Sequence, residues 1–151
     1  IIIFILLILI MPKNKKKRRS KKRPSKRRTK NKKRRSNIYN RELKECSFNP
    51  LTGYFRDGYC TTDKLDHGTH TVCSRVTDDF LNYTKSAGND LSTPRGSFPG
   101  LKDGDNWCLC ALRWKEIYDF NPSLAPKIKL NATHKKTLDY IDKSILTKYS
   151  L

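Results

Sequence analysis

The feature that most limits how this chain can fold is the uneven distribution of its charge. Residues 11–36 contain 17 Lys and Arg and no Asp or Glu, whereas residues 37–151 carry 16 basic and 14 acidic side chains. A run of like charges with almost no apolar side chains cannot bury enough surface to offset its conformational entropy. Pro24 would also interrupt a helix there. The sequence therefore predicts a disordered basic tail, residues 11–36, followed by one globular domain, residues 37–151.

The first ten residues, IIIFILLILI, are uncharged and apolar. They are too few to cross a bilayer as a helix, which takes about 20 residues. A secretory signal peptide carries its positive charge before the apolar run, and here the charge follows it. We interpret residues 1–10 as a leader read in frame before a true start at Met11. The alternative is a membrane anchor truncated at its N-terminus, with the basic run on the cytoplasmic side.

The basic tail has the chemistry of a polyanion ligand. Each phosphate that a Lys or Arg neutralises releases condensed counterions, so binding is tight at low salt and falls steeply as salt rises. The tail has no aromatic residue to stack on bases, and phosphate contacts alone do not read sequence. The predicted nucleic-acid-binding residues are Lys15, Lys16, Lys17, Arg18, Arg19, Lys21, Lys22, Arg23, Lys26, Arg27, Arg28, Lys32, Lys33, Arg34 and Arg35.

The same run also fits a nuclear import signal, which is a cluster of five or more Lys and Arg. The sequence does not separate nucleic acid from an import receptor as the partner of the tail. An acidic membrane surface is a third and less favoured partner. The expected location is nuclear or virion-associated, and otherwise cytoplasmic.

The rest of the chain has the composition of a packed domain and a mixed pattern of helices and strands. We expect a short strand at Tyr54–Phe55, a strand over 70–76, and a helix that Thr77 caps and that ends near Gly88. Residues 88–105 form a long polar loop. The apolar spacing then predicts a helix over 106–120 with Asp105 as its cap, a strand over 127–131, a short helix capped by Thr133, and a final helical turn over 143–149. This order predicts an α+β fold.

Several short motifs in this domain occur together in the order known from one protein family. They are NPLTGYFRDG at 49–58, HTVC at 70–73, GNDLSTP at 88–94, FPGL at 98–101, WCLC at 107–110, RW at 113–114 and ATH at 132–134. The chain resembles, over about residues 46–148, the uncharacterised family catalogued as domain of unknown function 2237. The resemblance implies a small two-layer α/β sandwich, and it supplies no activity. That family tends to have a second Cys before Cys60, where this chain has Tyr59.

Five cysteines suggest either packing or metal chemistry. The metal candidates are Cys46, Cys60, Cys73, Cys108 and Cys110, with zinc as the metal. No CxxC pair is present, and Cys108 and Cys110 would diverge on a helix. We therefore favour buried free thiols in a reducing compartment, with a disulfide or redox role as a further option, and predict no cofactor.

Two other site types are open to the domain. A Cys near a His is the pair that nucleophilic catalysis needs, and Cys73 with His70, or Cys108 with His134, could supply it. Polar residues in the family-like motifs could instead bind a small anionic ligand: Arg56, Asp57, Asn89, Asp90 and Arg113. The leading interpretation is a non-enzymatic protein whose tail binds nucleic acid or directs nuclear import. The alternative is a small enzyme or anionic-ligand-binding domain for which the tail is only a targeting signal.

Overall fold

β1, His70–Arg75, is the central strand of a three-stranded antiparallel sheet with the order β2-β1-β3. The computed structural model describes residues 35–151. The other strands are β2, Asn106–Cys110, and β3, Lys127–Ile128, and the α-helices are α1, Asp78–Ser86, α2, Ala111–Phe120, and α3, Lys143–Lys148. Short 3-10 helices span Pro122–Leu124, Leu130–Ala132 and Lys135–Asp139. The predicted α+β fold is confirmed. The predicted leader and all but the last two residues of the predicted tail lie outside the described residues.

The two faces of β1 contact different interiors. Val72 packs into the main apolar core, which holds Phe80, Trp114 and Ile128. Cys73 lies on the other face, within a smaller cluster that is mostly cysteine. Because successive side chains of a strand point to opposite faces, the alternation of β1 assigns one face to each cluster.

Trp114 is the centre of the main core and is fully buried. Its indole Nε1 donates to the carbonyl oxygen of Pro126 at 3.1 Å, which satisfies the one polar atom of the ring. The ring stacks on Tyr118 and meets Tyr149 edge to face, at centroid distances of 5.7 and 5.2 Å. The contacts with Pro126 and Tyr149 hold α2 against the segment before β3 and the end of α3.

Local capping signals in the sequence predict some helix ends correctly. Thr77 is the N-cap of α1, where its hydroxyl oxygen accepts from the backbone N–H of Phe80. Asp78 and Asp79 occupy the first turn, where acidic side chains suit the helix dipole. The helix ends at Ser86, and Gly88 follows with a φ of +84°, a left-handed conformation that glycine adopts readily. The predicted final helix is present as α3.

The predicted helix over 106–120 is wrong in its first third. Residues 106–110 form β2, and the helix begins at Ala111. Apolar residues at helical spacing misled the prediction, because Trp107, Cys108 and Leu109 are all buried by pairing with β1. Asp105 therefore caps no helix, and its carboxylate accepts from the backbone N–H of Lys102. Tertiary pairing has overridden local periodicity here.

Three smaller predictions also differ from the structure. Tyr54 and Phe55 lie in a turn and not in a strand. β3 ends at Ile128, and the chain enters a 3-10 helix at Leu130 instead of continuing extended. The following 3-10 helix is capped by His134, whose Nδ1 accepts from the backbone N–H of Lys136, and not by Thr133.

Arg35 and Ser36, which precede the predicted start of the domain at Asn37, already hydrogen-bond to it. The carbonyl oxygen of Arg35 accepts from the backbone N–H of Leu43, and that of Ser36 accepts from Lys135. Buried Asn37 follows, and its side-chain oxygen accepts from the backbone N–H groups of Tyr39 and Arg41. Within residues 35–151, none of the helices has the length and apolar character that a membrane crossing requires.

Candidate functional site

Two adjoining cavities open beside the N-terminal end of β1. The first has a volume of about 410 Å³ and lies between the sheet, α1 and α2. The second has a volume of about 430 Å³ and lies between the turn at 53–56 and the polar loop at 88–105. Both are lined by His70, Leu91, Trp107 and Cys108. His70 is the one titratable side chain common to both cavities and is therefore the natural centre of a site.

The imidazole of His70 is held by a buried carboxylate. Its Nδ1 lies 2.6 Å from Oδ1 of Asp66, whose side chain is fully buried. The other carboxylate oxygen accepts from the backbone N–H of His70 and from the hydroxyl of Thr62, both at 2.9 Å. A carboxylate accepts hydrogen bonds, so Nδ1 carries the proton and Nε2 is left as the basic nitrogen.

The backbone around His70 is irregular. Thr69, just before it, has a φ of +48°, an unusual conformation for a β-branched residue. The register of β1 against β2 shifts between His70 and Val72. Gly68 packs beneath the ring, and a methyl group there would lie 2.5 Å from Cε1 of His70. Strained residues and bulges often lie at functional sites, and here they orient a single side chain.

Cys110 faces His70 across the strand ladder. The two residues are Cα partners in the β1–β2 register, and both line the first cavity. The bulge beside this pair breaks the regular ladder spacing, and among residues 35–151 no hydrogen bond joins the two side chains. Cys110 is half-buried and is the one free cysteine of the five. It is also the N-cap residue of α2, and its side chain makes no capping hydrogen bond.

The other four cysteines are paired in two disulfides, contrary to the interpretation that they are free thiols. Cys46 bonds to Cys73 and Cys60 bonds to Cys108. All four are buried. In this state neither Cys73 nor Cys108 has a thiol, so the predicted pairs Cys73–His70 and Cys108–His134 have no nucleophile.

The disulfides also bear on the predicted metal ligands. The sulfur atoms of Cys46, Cys60 and Cys73 all lie within 4.8 Å of one another. Zinc binds deprotonated thiolates, and these sulfurs are bonded to sulfur instead. The oxidised cluster therefore holds the domain together and offers no thiolate ligand. Cys110 lies at the cavity and is not part of this buried cluster.

The predicted anion-binding residues divide between the two cavities. Asn89 and Arg113 line the first, and Arg56 and Asp90 line the second. The guanidinium of Arg56 lies 4.9 Å from the ring centroid of Trp107, a cation–π contact. Arg113 instead forms an ion pair with Glu116 at 2.9 Å.

Two of the predicted ligand-binding residues serve their own loops. Asp57 lines neither cavity, and its carboxylate accepts from the backbone N–H of Tyr59. Asp90 accepts hydrogen bonds from the hydroxyl and backbone N–H of both Thr93 and Ser92. The bonds from Thr93 contribute most in holding the pKa of Asp90 well below its usual value. Its carboxylate thus organises the 88–105 loop, with Lys85 and Arg95 at 3.6 and 3.5 Å.

The predicted nucleic-acid-binding residues, apart from Arg35, lie outside the described residues. Arg35 is exposed, and its guanidinium lies 5.7 Å from the ring centroid of Tyr59. Asp66 was not predicted as a site residue, and Cys110 was considered only as a metal ligand. The spacing of Asp66 and His70 was a usable signal, whereas the pairing of His70 with Cys110 depends on the strand register.

Comparison with known proteins assigns the domain to a family without assigning it an activity. A family profile matches residues 36–150, and it is described as "Uncharacterized protein conserved in bacteria (DUF2237)". The match covers nearly every described residue, including both cavities. No curated protein matches the chain.

Proposed function

We propose that this chain, which belongs to the DUF2237 family through its folded domain, binds nucleic acid through its basic N-terminal segment. The observation that supports the proposal is the contrast in charge. The segment 11–36 has 17 basic residues without one acid, and the rest of the chain is nearly neutral. A polyanion would therefore be attracted to the segment far more strongly than to the domain.

The proposed binding has a quantitative signature. For double-stranded DNA, the logarithm of the affinity falls with the logarithm of the salt concentration, with a slope of about −0.9 for each phosphate contact. Contacts from ten of the basic residues would give a slope of about −9. Because the segment has no aromatic side chains, duplexes of different sequence should bind equally well.

The experiment compares two triple variants of the full chain in a salt titration of DNA binding. One replaces Lys15, Lys16 and Lys17 with Gln, and the matched control replaces the exposed domain residues Lys64, Lys102 and Lys148 with Gln. The first should flatten the salt slope by about 3, and the second should leave it unchanged. Equal slopes for both variants, or a larger effect of the control, would show that the segment is not the binding site.

Nuclear import is proposed as a second use of the same segment. A fluorescent fusion of the full chain should accumulate in nuclei, and the Lys15–Lys17 variant should do so less. The domain triple variant is again the control. If the Lys15–Lys17 variant accumulates in nuclei as much as the parent protein does, the segment is not the import signal, whatever its effect on nucleic-acid binding.

The cavities favour a second function of another class, the binding of a small anionic ligand. Arg56 lies on the second cavity against Trp107, and no ion pair joins it to an acid within residues 35–151. A cation at an aromatic-lined cavity without a neutralising partner suits an anionic group. Inorganic phosphate or acetate should quench tryptophan fluorescence in the full chain, and Arg56→Gln should weaken the effect. Arg113→Gln is the control, because Arg113 already pairs with Glu116.

A further inference from the structure

We infer that Cys110, His70 and Asp66 form a thiol-dependent catalytic site in the first cavity, acting on esters or thioesters with an apolar acyl group. The inference does not rest on the second proposed function, which places an anionic ligand at Arg56 in the second cavity. It needs no binding of nucleic acid. The sequence predicts His70 as a catalytic candidate with Cys73. The fold places His70 opposite Cys110 and in contact with Asp66 instead.

The three residues supply the groups that nucleophilic catalysis requires, and Cys110 and His70 line the same cavity. Cys110 carries the free thiol, and His70 is its partner across the ladder on the same cavity. Asp66 holds Nδ1 of the ring at 2.6 Å, so Nε2 is free to take a proton. A nucleophile, a base and a group that orients the base are the elements by which such sites are recognised, whatever their order in the chain.

Cys110 also lies at a helix end whose charge suits the transition state of acyl transfer. It is the N-cap of the ten-residue helix α2, whose aligned peptide dipoles place partial positive charge at this end. The first turn of a helix has backbone N–H groups without intrahelical acceptors, and Cys110 makes no side-chain capping bond to them. Such an end stabilises the oxyanion that forms when a thiolate attacks a carbonyl.

The cysteine inventory favours acyl chemistry over dithiol redox chemistry. The chain has five cysteines, and the four other than Cys110 are already paired in buried disulfides. Cys110 therefore has no neighbouring free thiol with which to form a disulfide within the chain. A nucleophile that is regenerated by water requires no such partner.

The proposed reaction proceeds in two balanced steps. His70 takes the proton of Cys110, the thiolate attacks the acyl carbon, and a new S–C bond forms. The tetrahedral intermediate then collapses, the C–O or C–S bond to the leaving group breaks, and that group takes the proton from His70. Water, deprotonated by His70, next attacks the acyl-enzyme, which releases the carboxylic acid and restores the thiol.

The lining of the cavity indicates the acyl group. Phe80, Tyr83 and Leu109 form apolar walls, and the volume of about 410 Å³ suits a small molecule. Arg113, Asn89 and Glu116 add polar groups to the lining. An apolar acyl chain would lie against the walls while its carbonyl approaches Cys110.

The test uses p-nitrophenyl acetate with the full, non-reduced chain. Mass spectrometry should show one added acetyl group on Cys110, with release of p-nitrophenol, and Cys110→Ala should abolish both. His70→Gln should slow the acylation about a hundredfold or more, as loss of a general base does. His67→Gln is the matched control, because His67 is exposed in the same turn and should change nothing.

Two outcomes would overturn the inference. One is an acetylation rate of Cys110 that is the same in His70→Gln and in the parent protein, since the thiol would then react without a base. The other is acetylation at lysines with Cys110 untouched. Circular dichroism of each variant distinguishes loss of activity from loss of fold. Phosphate quenching of tryptophan fluorescence in Cys110→Ala reports on ligand binding separately, so failure of the catalytic inference would not be confused with failure of the binding proposal.

Discussion

Cys108 and Cys110 are separated by one residue on β2, yet they belong to two different regions of the molecule. Cys108 is opposite Cys73 in the interior of the ladder and is closed into a disulfide with Cys60. Cys110 is opposite His70 at the end of the ladder, where the register shifts and α2 begins. Both residues line the first cavity, but Cys108 is buried and covalently fixed, whereas Cys110 is half-buried and has a free thiol.

The contrast shows that the position of a cysteine along the β1–β2 ladder determines whether it forms a disulfide or keeps a free thiol. In the interior, another segment of the same chain brings the sulfur of Cys60 to Cys108, and both residues are buried. At the end, the neighbours are an imidazole and a helix terminus, and the sulfur of Cys110 is a free, half-buried thiol. Variants in each region measure how far the stability of one depends on the other.

The largest expected effect comes from opening the closed region. The double variant Cys60→Ala/Cys108→Ala removes a cross-link between residues 48 positions apart. Chain-entropy arguments put the loss in the free energy of unfolding at about 4 kcal/mol for a loop of that size. Urea denaturation without reductant measures it. Cys110→Ala is the control and should cost about 1 kcal/mol or less, and equal losses in the two variants would erase the distinction between the regions.

A smaller loss is expected from Asp66→Asn at the open end. The carboxylate is buried and accepts hydrogen bonds from His70 and Thr62. In Asn an NH2 group replaces one of the two accepting oxygens and would face an N–H or O–H donor. We expect a loss of about 2 kcal/mol in the free energy of unfolding, together with a change in the imidazole tautomer. Urea denaturation and NMR of the His70 ring measure the two effects.

Asp63→Asn is the control for that variant. Asp63 is exposed, and its carboxylate accepts from the backbone N–H of Leu65, a bond that the Asn oxygen can replace. Its stability should be nearly unchanged. A parental tautomer of His70 in Asp66→Asn would show that the carboxylate does not orient the ring.

The smallest effect is expected in the loop that forms one wall of the second cavity. Hydrogen bonds, chiefly from Thr93, keep the pKa of Asp90 below its usual value. A carboxyl group with a lowered folded pKa stabilises the fold above its unfolded pKa, about 3.9, and this contribution is lost as pH falls below that value. The protection of the amides of residues 88–105 against exchange, measured relative to their intrinsic exchange rates at each pH, should therefore fall as the solution is acidified. In Asp90→Asn the loop should already exchange faster at neutral pH, and the acid response should shrink.

The parts of this fold that sequence predicts well are those with local causes. Thr77 followed by two acids is sufficient to start α1, and the polar loop at 88–105 is evident from its glycines and prolines. β2 was missed because Trp107, Ala111, Trp114 and Tyr118 have helical spacing. Only pairing with β1 shows that the first of them belongs to a strand.

The candidate site could not be predicted in full from a single sequence. Disulfide partners cannot be deduced from cysteine spacing, since four cysteines allow three pairings. The pairing of His70 with Cys110 depends on the ladder register. Asp66 and His70 are close enough in sequence for a direct contact, but nothing in their spacing shows that the carboxylate is buried. The family resemblance was correct and supplied motifs without chemistry.

Both disulfides attach the stretch from Cys46 to Cys60 to the sheet, and that stretch contains no helix and no strand of the three-stranded sheet. It carries Tyr54 and Arg56, which line the second cavity. We expect a glutathione-rich compartment, by cutting these two attachments, to release that wall before the main core unfolds. The redox state of the compartment that contains the protein would then determine whether Tyr54 and Arg56 stay in place at the second cavity.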